Sequence, residues 1–145
     1  MIILDTDHIS VLQHEDSPKT VALLEKLESL PPEEVATTVA TLEEQSRSWL
    51  SLIGRYSDVR LQVAYYDRLK AMFEFFAGWQ VIRFDEMAAE RFQQLRRQGV
   101  RISSTDLKIA SIALVNNATL LSANLRDFDK VPGLMVENWL VRCPI

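Results

Sequence analysis

Carboxylates punctuate this chain at four places. Asp5-Thr6-Asp7-His8 follows directly on the apolar run Met1 to Leu4. Glu43 and Glu44 close Thr41-Leu42-Glu43-Glu44, and Asp106 closes Ser103-Ser104-Thr105-Asp106. Asp127 closes Ser122-Ala123-Asn124-Leu125-Arg126-Asp127. A carboxylate at the end of a buried strand is costly unless it is paired or coordinates a metal. Several converging carboxylates repel one another unless a cation sits among them. A set of oxygen ligands suits Mg²⁺ or Mn²⁺, ions that activate water and shield phosphate oxygens. The chain holds no Ser-His-Asp arrangement, no Gly-x-Ser-x-Gly and no P-loop. The chemistry indicated is metal-assisted phosphodiester hydrolysis.

Each acid also has a plainer reading. Thr41…Glu44 and Ser103…Asp106 have the form of a capping box, and acids favour helix N-termini. Asp127 and Asp129 read singly as solvated loop acids. Asp5 is the hardest to explain this way, because no capping pattern begins there. Asp7 reads as a turn or helix-cap acid beside the site.

The elements that must position these residues follow from periodicity. Residues 2–5 read as a buried strand, followed by a short helical turn from His8 to Leu12. Glu15-Asp16-Ser17-Pro18 starts a helix whose apolar stripe is Val21, Leu24, Leu27 and Leu30, ended by Pro31-Pro32. A second strand covers Val35 to Val39. Helical patterns run from Thr41 to Gly54, with Leu42, Trp49, Leu50 and Ile53, and over 59–77, with Leu61, Tyr65, Leu69, Met72, Phe73 and Phe76. A third strand spans 79–84. Asp85 caps a helix with Met87, Phe92 and Leu95 inside. A helix over 105–116 is apolar nearly all round and so must be buried. A fourth strand spans 118–124, and after Pro132-Gly133 a short edge strand covers 134–138. Strands separated by helices imply a parallel sheet with helices on both faces. In such sheets ligands bind outside the carboxyl ends of the strands, where the four acidic stretches fall.

Composition agrees with one α/β domain over residues 1–145. The hydrophobic fraction is 48% and the charged fraction 25%, with only 4 Gly and 5 Pro. The lone Cys143 allows no internal disulfide and fits a reducing cytoplasm. With only His8 and His14 beside it, zinc is disfavoured. No apolar stretch is long enough to span a membrane, and the N-terminus lacks a signal peptide's basic region. A net charge of −4 counts mildly against a nucleic-acid partner.

At the acidic stretches the sequence resembles the PIN-domain ribonucleases, and among them the VapC-type toxins of bacterial toxin–antitoxin pairs. "ILDTDHIS" resembles the family's opening strand and first acid, Asp5. "TVATLEEQ" resembles its second motif, which points to Glu44, with Glu43 the alternative. "SSTDLKIASIAL" resembles the third, giving Asp106. "ATLLSANLRDF" resembles the fourth, mapping to Ser122, Asn124, Asp127 and Phe128. "VPGLMVENW" resembles the closing turn and edge strand. Ser122 stands where the family often has Thr, and Ala123 where a basic residue is frequent.

The resemblance implies a PIN-like α/β/α sandwich with a parallel sheet of four to five strands. It implies a Mg²⁺- or Mn²⁺-dependent endoribonuclease acting through a metal-activated water. Asp5, Glu44, Asp106 and Asp127 would form the catalytic pocket, with Asp5 and Asp106 on the metal. Thr6, Ser122 and Asn124 would support them. A cognate antitoxin and a homodimer are implied as partners, and residues 45–76 carry enough aromatic side chains to offer an antitoxin helix an apolar groove. Arg91, Arg96, Arg97 and Arg101, just before the Asp106 helix, are candidates for contacting RNA phosphates. His8 reads as a packed structural residue rather than a proton carrier.

Two other readings compete. Asp5-Thr6-Asp7 also fits the opening motif of haloacid-dehalogenase-type phosphatases, with Asp5 as nucleophile. That chemistry needs a Lys at the phosphate, and Lys108 and Lys130 are poorly placed for it. The second is a non-catalytic PIN-fold protein that only binds a partner.

Overall fold

The computed structural model describes residues 1–14 and 17–140. Glu15, Asp16 and Cys143 therefore lie outside the described residues. The element order is β1 (Ile2–Leu4), α1 (Thr6–Leu12), α2 (Pro18–Glu28), β2 (Val35–Thr38), α3 (Val39–Gly54), α4 (Val59–Ala77), β3 (Val81–Ile82), α5 (Glu86–Arg97), α6 (Ser104–Val115), β4 (Thr119–Leu121), α7 (Leu125–Phe128) and β5 (Met135–Glu137). The expected alternation is present. The single-turn α7 between the last two strands was not foreseen.

The strands form one five-stranded sheet in the order β3-β2-β1-β4-β5. Every neighbouring pair is parallel. Along β1, Ile2 pairs with Thr119, Ile3 with Leu120 and Leu4 with Leu121. The order reverses between β1 and β4: the chain builds to one side of β1 first, then to the other. That point is where an open parallel sheet leaves a crevice at its carboxyl ends.

The two-residue period of a strand divides the core. Ile3 and Leu120 face one layer, packed with Ala88 and Leu95 of α5 and with Leu107, Ile109 and Ile112 of α6. Leu4 and Leu121 face the other, with Ile9 and Leu12 of α1, Leu23 and Leu27 of α2, and Met72 and Phe76 of α4. Helices thus cover both faces of the sheet. The nearly all-round apolar α6 is buried as its composition requires, with Leu107, Ile109, Ala110, Ile112 and Ala113 at most 1% exposed. Its end is set by a left-handed residue, Asn117, at φ 52°. Ala118 N–H bonds to the Ala113 carbonyl and Asn117 N–H to that of Leu114, a Schellman closure that feeds the chain straight into β4.

Four expected stripes are displaced in part. On α2 the buried residues are Thr20, Leu23 and Leu27, while Val21 and Leu24 are exposed. Thr20 can take a core position because its hydroxyl donates to the carbonyls of Val11 and His14. On α4, Leu61 and Phe73 are exposed, as are Leu50 on α3 and Met87 on α5. Among the described residues no helix is long and apolar enough to cross a membrane.

Candidate active site

β1 ends in Asp5, which is both the last residue before α1 and its N-cap. The helix begins at Thr6, not at His8, because the Asp5 carboxylate accepts the Thr6 N–H at 2.8 Å. A capping role does exist at Asp5, although no pattern in the sequence announces it. The other carboxylate oxygen accepts the Ser122 hydroxyl at 2.7 Å. Backbone pairing brings the ends of β1 and β4 together, since Asp5 N–H donates to the Leu121 carbonyl at 2.9 Å. Asp5 is 6% exposed. Burial pushes its pKa up to about 7, with the charges of Asp7 and Asp106 adding to the rise and the bonds from Ser122 and Thr6 opposing it.

Asp7 spans the same gap. Its Oδ2 accepts the Ala123 N–H at 2.8 Å and lies 3.4 Å from the Ser122 oxygen, whose hydrogen goes to Asp5. Its Oδ1 lies 2.7 Å from His8 Nδ1. Burial acts to raise its pKa, but the bonds from His8 and Ala123 together outweigh burial and leave it below the ordinary value. Both ring nitrogens of fully buried His8 are occupied, Nε2 by the Trp139 N–H at 3.2 Å. The packed reading of His8 fits this geometry, and a proton carrier does not.

Glu44 comes from the other side of the sheet. α3 starts at Val39, with Thr38 as N-cap accepting the Thr41 N–H at 3.2 Å. Thr41…Glu44 is therefore inside the helix and is not a capping box. Glu44 Oε2 instead accepts the Thr6 hydroxyl at 2.7 Å. Thr41, buried beneath, places its hydroxyl 3.4 Å from that of Thr6. Glu43 points elsewhere, to Arg47 at 3.2 Å and Lys108 at 4.0 Å.

At the head of α6, Ser103 is the N-cap and accepts the Asp106 N–H at 3.1 Å. The capping role read for this stretch is real, yet the Asp106 carboxylate also faces the other acids. Asn124 Nδ2 lies 3.4 Å from Asp106 Oδ2 and 3.1 Å from Asp127 Oδ2, tying the two together. Asp127 sits on α7 rather than in an open loop, and Lys130 Nζ is 3.4 Å from its Oδ1. Burial raises the pKa of Asp106, and the charges of Glu44, Asp127 and Asp7 raise it further against the Ser103 hydroxyl. The pKa of Asp127 is lowered, first by Asn124 and then by Lys130.

Asp5, Glu44, Asp106 and Asp127 thus lie around the carboxyl edge of the sheet, close enough for their charges to act on one another. Among the described residues no three His, Cys, Asp or Glu side chains close into a ready-made cage for a metal. Mg²⁺ does not need one: it keeps several waters and is held by one or two carboxylates. The donor chemistry fits such an ion. Asp5 and Asp106 offer carboxylate oxygens whose charged forms the protein disfavours, and a cation beside them would favour those forms. Among the described residues the ion pairs with Lys fall on Glu43, Glu74 and Asp127, and Asp5 has no Lys partner. That arrangement gives no support to a phosphatase with Asp5 as nucleophile.

Two clefts adjoin the acids. One, of about 720 Å³ between α1, α3 and α4, is lined by Thr6, Glu44, Gln45, Trp49, Arg68 and Met72 among others. The other, of about 690 Å³, is lined by Arg96, Gly99, Val100, Arg101, Ile102, Ser103 and Asp127. Of the four arginines singled out from the sequence, Arg96 and Arg101 therefore share a cleft with Asp127. Arg97 shares a neighbouring cleft with Phe92 and Lys108. Arg91 is half-buried on α5. Arg96 also stacks its guanidinium 4.6 Å from the Phe92 ring centre.

Residues 2–134 match the PIN domain. The chain belongs to this family. A curated relative, Ribonuclease VapC2 of Rickettsia felis, is 44% identical over 46 residues, 32% of this chain and 34% of that protein. The tRNA(fMet)-specific endonuclease VapC of Salmonella typhimurium is 30% identical over 69 residues, 45% of this chain and 52% of that protein. The alignments thus span a third to a half of these relatives' length. The DNA-bound VapBC structure from Salmonella typhimurium superposes with a TM-score of 0.71 at 21% identity, covering 95% of this chain and 97% of that one. The PIN-like α/β/α architecture expected from the sequence is thereby the architecture of the chain.

Proposed function

We propose that this PIN domain is an endoribonuclease of the VapC type, dependent on a divalent cation and silenced by a cognate antitoxin. The observation that carries the reading is the mutual action of the four carboxylates: burial and neighbouring negative charge raise both Asp5 and Asp106. Uncompensated, that arrangement is unfavourable, and a bound cation relieves it. Asp5 and Asp106 would hold Mg²⁺ or Mn²⁺, with Glu44 and Asp127 completing the pocket. The ion, when bound, lowers the pKa of a water and shields phosphate oxygens.

The chain's own residues do the positioning. Ser122 and the Thr6 N–H fix the two oxygens of Asp5. The Thr6 hydroxyl holds Glu44. Asn124 holds Asp106 and Asp127 at a set separation. Arg96 and Arg101 border Asp127 and supply positive charge where an RNA backbone would enter. The net charge of −4 then reflects acids gathered in and around the pocket as well as on the surface, and is no obstacle to a local basic approach.

For the antitoxin, the groove read over residues 45–76 finds support on α4, where Val59, Val63, Tyr66 and Phe73 are each more than half exposed and recur at helical spacing. The homodimer implied by the resemblance is kept in this reading, and the four acids all come from one copy of the chain. The test is direct. The purified chain should cut structured RNA with Mg²⁺ or Mn²⁺ present, stop in EDTA, and stop when Asp106→Asn replaces the wild type. Cutting unaffected by EDTA would overturn the metal-dependent reading.

A further inference from the structure

His8 is fully buried, yet it is bonded at both ends of its ring. The Trp139 N–H donates to Nε2 at 3.2 Å, so Nε2 carries no proton. In the neutral imidazole the proton then sits on Nδ1, which donates to Asp7 Oδ1 at 2.7 Å. The tautomer follows from this bonding pattern. Asp7 passes the constraint on. Its second oxygen receives the Ala123 N–H at 2.8 Å and stands 3.4 Å from the Ser122 hydroxyl. Ser122 in turn donates to Asp5 at 2.7 Å. A chain of hydrogen bonds therefore runs from the backbone of Trp139 through His8 and Asp7 to the Ala123 N–H, and the Ala123–Ser122 backbone carries it on to the Ser122 hydroxyl and the Asp5 carboxylate.

Asp7 needs such a tether. It is a carboxylate set beside two others, and its charge acts unfavourably on both Asp5 and Asp106. The donor on one side is His8, held in turn by the segment after β5. The Trp139 ring helps seat that segment: it packs into the core layer containing Leu4 and Leu121, and Lys26 lies 5.8 Å from its centre.

We propose that His8 is a positioning residue: by fixing Asp7 against Ala123 it sets Ser122 on Asp5, and it makes that setting depend on the seating of residues 138–140. The part of this inference that concerns activity rests on the nuclease reading above. The part that concerns Asp7 does not.

Two isosteric substitutions separate the two arms of the ring. His8→Asn puts an amide N–H near the Nδ1 position and keeps the Asp7 bond while losing the acceptor for Trp139. His8→Gln reaches the Nε2 position and keeps the Trp139 acceptor while losing the donor to Asp7. Three readouts apply to both variants and to the wild type: amide hydrogen exchange at Ala123 in metal-free protein, Mn²⁺ affinity by calorimetry without RNA, and kcat and KM on RNA. Urea midpoints report stability alongside.

The expected result is faster Ala123 exchange in His8→Gln by at least about tenfold, and unchanged exchange in His8→Asn. Mn²⁺ affinity and kcat fall by ~10–100-fold in His8→Gln only, with KM nearly unchanged. Equal exchange at Ala123 in the two variants would overturn the proposal, and so would losses that simply follow the urea midpoints. If the exchange pattern holds but the wild type neither binds Mn²⁺ nor cuts RNA, the nuclease reading falls and the tethering of Asp7 by His8 stands.

Discussion

Ser122 and Asp5 are 117 residues apart in the chain, and the Ser122 hydroxyl donates to the Asp5 carboxylate at 2.7 Å. Both are buried, so water does not replace that donor if it is removed. Ser122→Ala should therefore destabilise the metal-free protein by roughly 1.5–3 kcal/mol at pH 8, where Asp5 is charged. At pH 5, where Asp5 is mostly protonated, the loss should shrink. Urea titrations in EDTA at the two pH values measure both. An equal loss at the two would mean that the hydroxyl supports packing and not the charge.

Asp5 itself sets a pH dependence of unusual sign for a carboxylate. Its folded pKa is pushed up to about 7 from 3.8. The folded protein holds that proton more tightly than the unfolded chain, so the stability contributed is present below the unfolded value and is lost as pH rises toward 7. Three units bound the loss at on the order of 4 kcal/mol. Asp7, with a lowered pKa, acts oppositely and only at lower pH, contributing stability that is lost as pH falls. In EDTA, Asp5→Asn should match the wild type near pH 4 and exceed it at pH 8. Mn²⁺ should raise the wild-type Tm more at pH 8 than at pH 5.5, where protons compete for Asp5. Parallel Tm profiles for the two proteins would contradict this.

Adjacent acids on α3 should behave differently. Glu44 receives the Thr6 hydroxyl, whereas Glu43 is an exposed partner of Arg47. Glu44→Gln is expected to lower kcat/KM by ~10–100-fold, the scale for groups supporting a metal site. Glu43→Gln should change little, as exposed ion pairs contribute ~0–1 kcal/mol. Single-turnover cleavage of one RNA by the two variants decides between them. A larger loss in Glu43→Gln would place the wrong acid in the pocket.

Arg96 and Arg101 border Asp127. Replacing either by Ala should weaken RNA binding uniformly across sequences and reduce the salt slope of log K by about 1. Binding of catalytically silent Asp106→Asn protein to labelled RNA over a salt series measures this. An unchanged slope in both variants would remove the arginines from the RNA path.

Much of this architecture is written in local pattern. Four-residue apolar runs and long amphipathic stretches name the strands and helices, and the all-apolar α6 declares itself buried. Details that depend on distant partners are not written there. The cap at Asp5 bonds the very next N–H, which leaves no spaced signature. Thr20 occupies the core of α2 in place of an apolar residue because two carbonyls from the end of α1 receive its hydroxyl. Four-residue α7 is too short to show a period. Nothing near Asp7 in the chain announces that its partner is Ala123. Between Glu43 and Glu44, the family resemblance favours Glu44, but local pattern alone does not say which one meets Thr6, because that depends on α3 starting at Val39.

The central claim is that Asp5, Glu44, Asp106 and Asp127 cut RNA. The most direct measurement is to express this chain and its Asp106→Asn variant in a bacterium and map new 5′ RNA ends across the transcriptome. Cuts at a defined sequence or loop are expected with the wild type and none of them with Asp106→Asn, both proteins being folded and equally abundant. Identical RNA profiles from the two would contradict it.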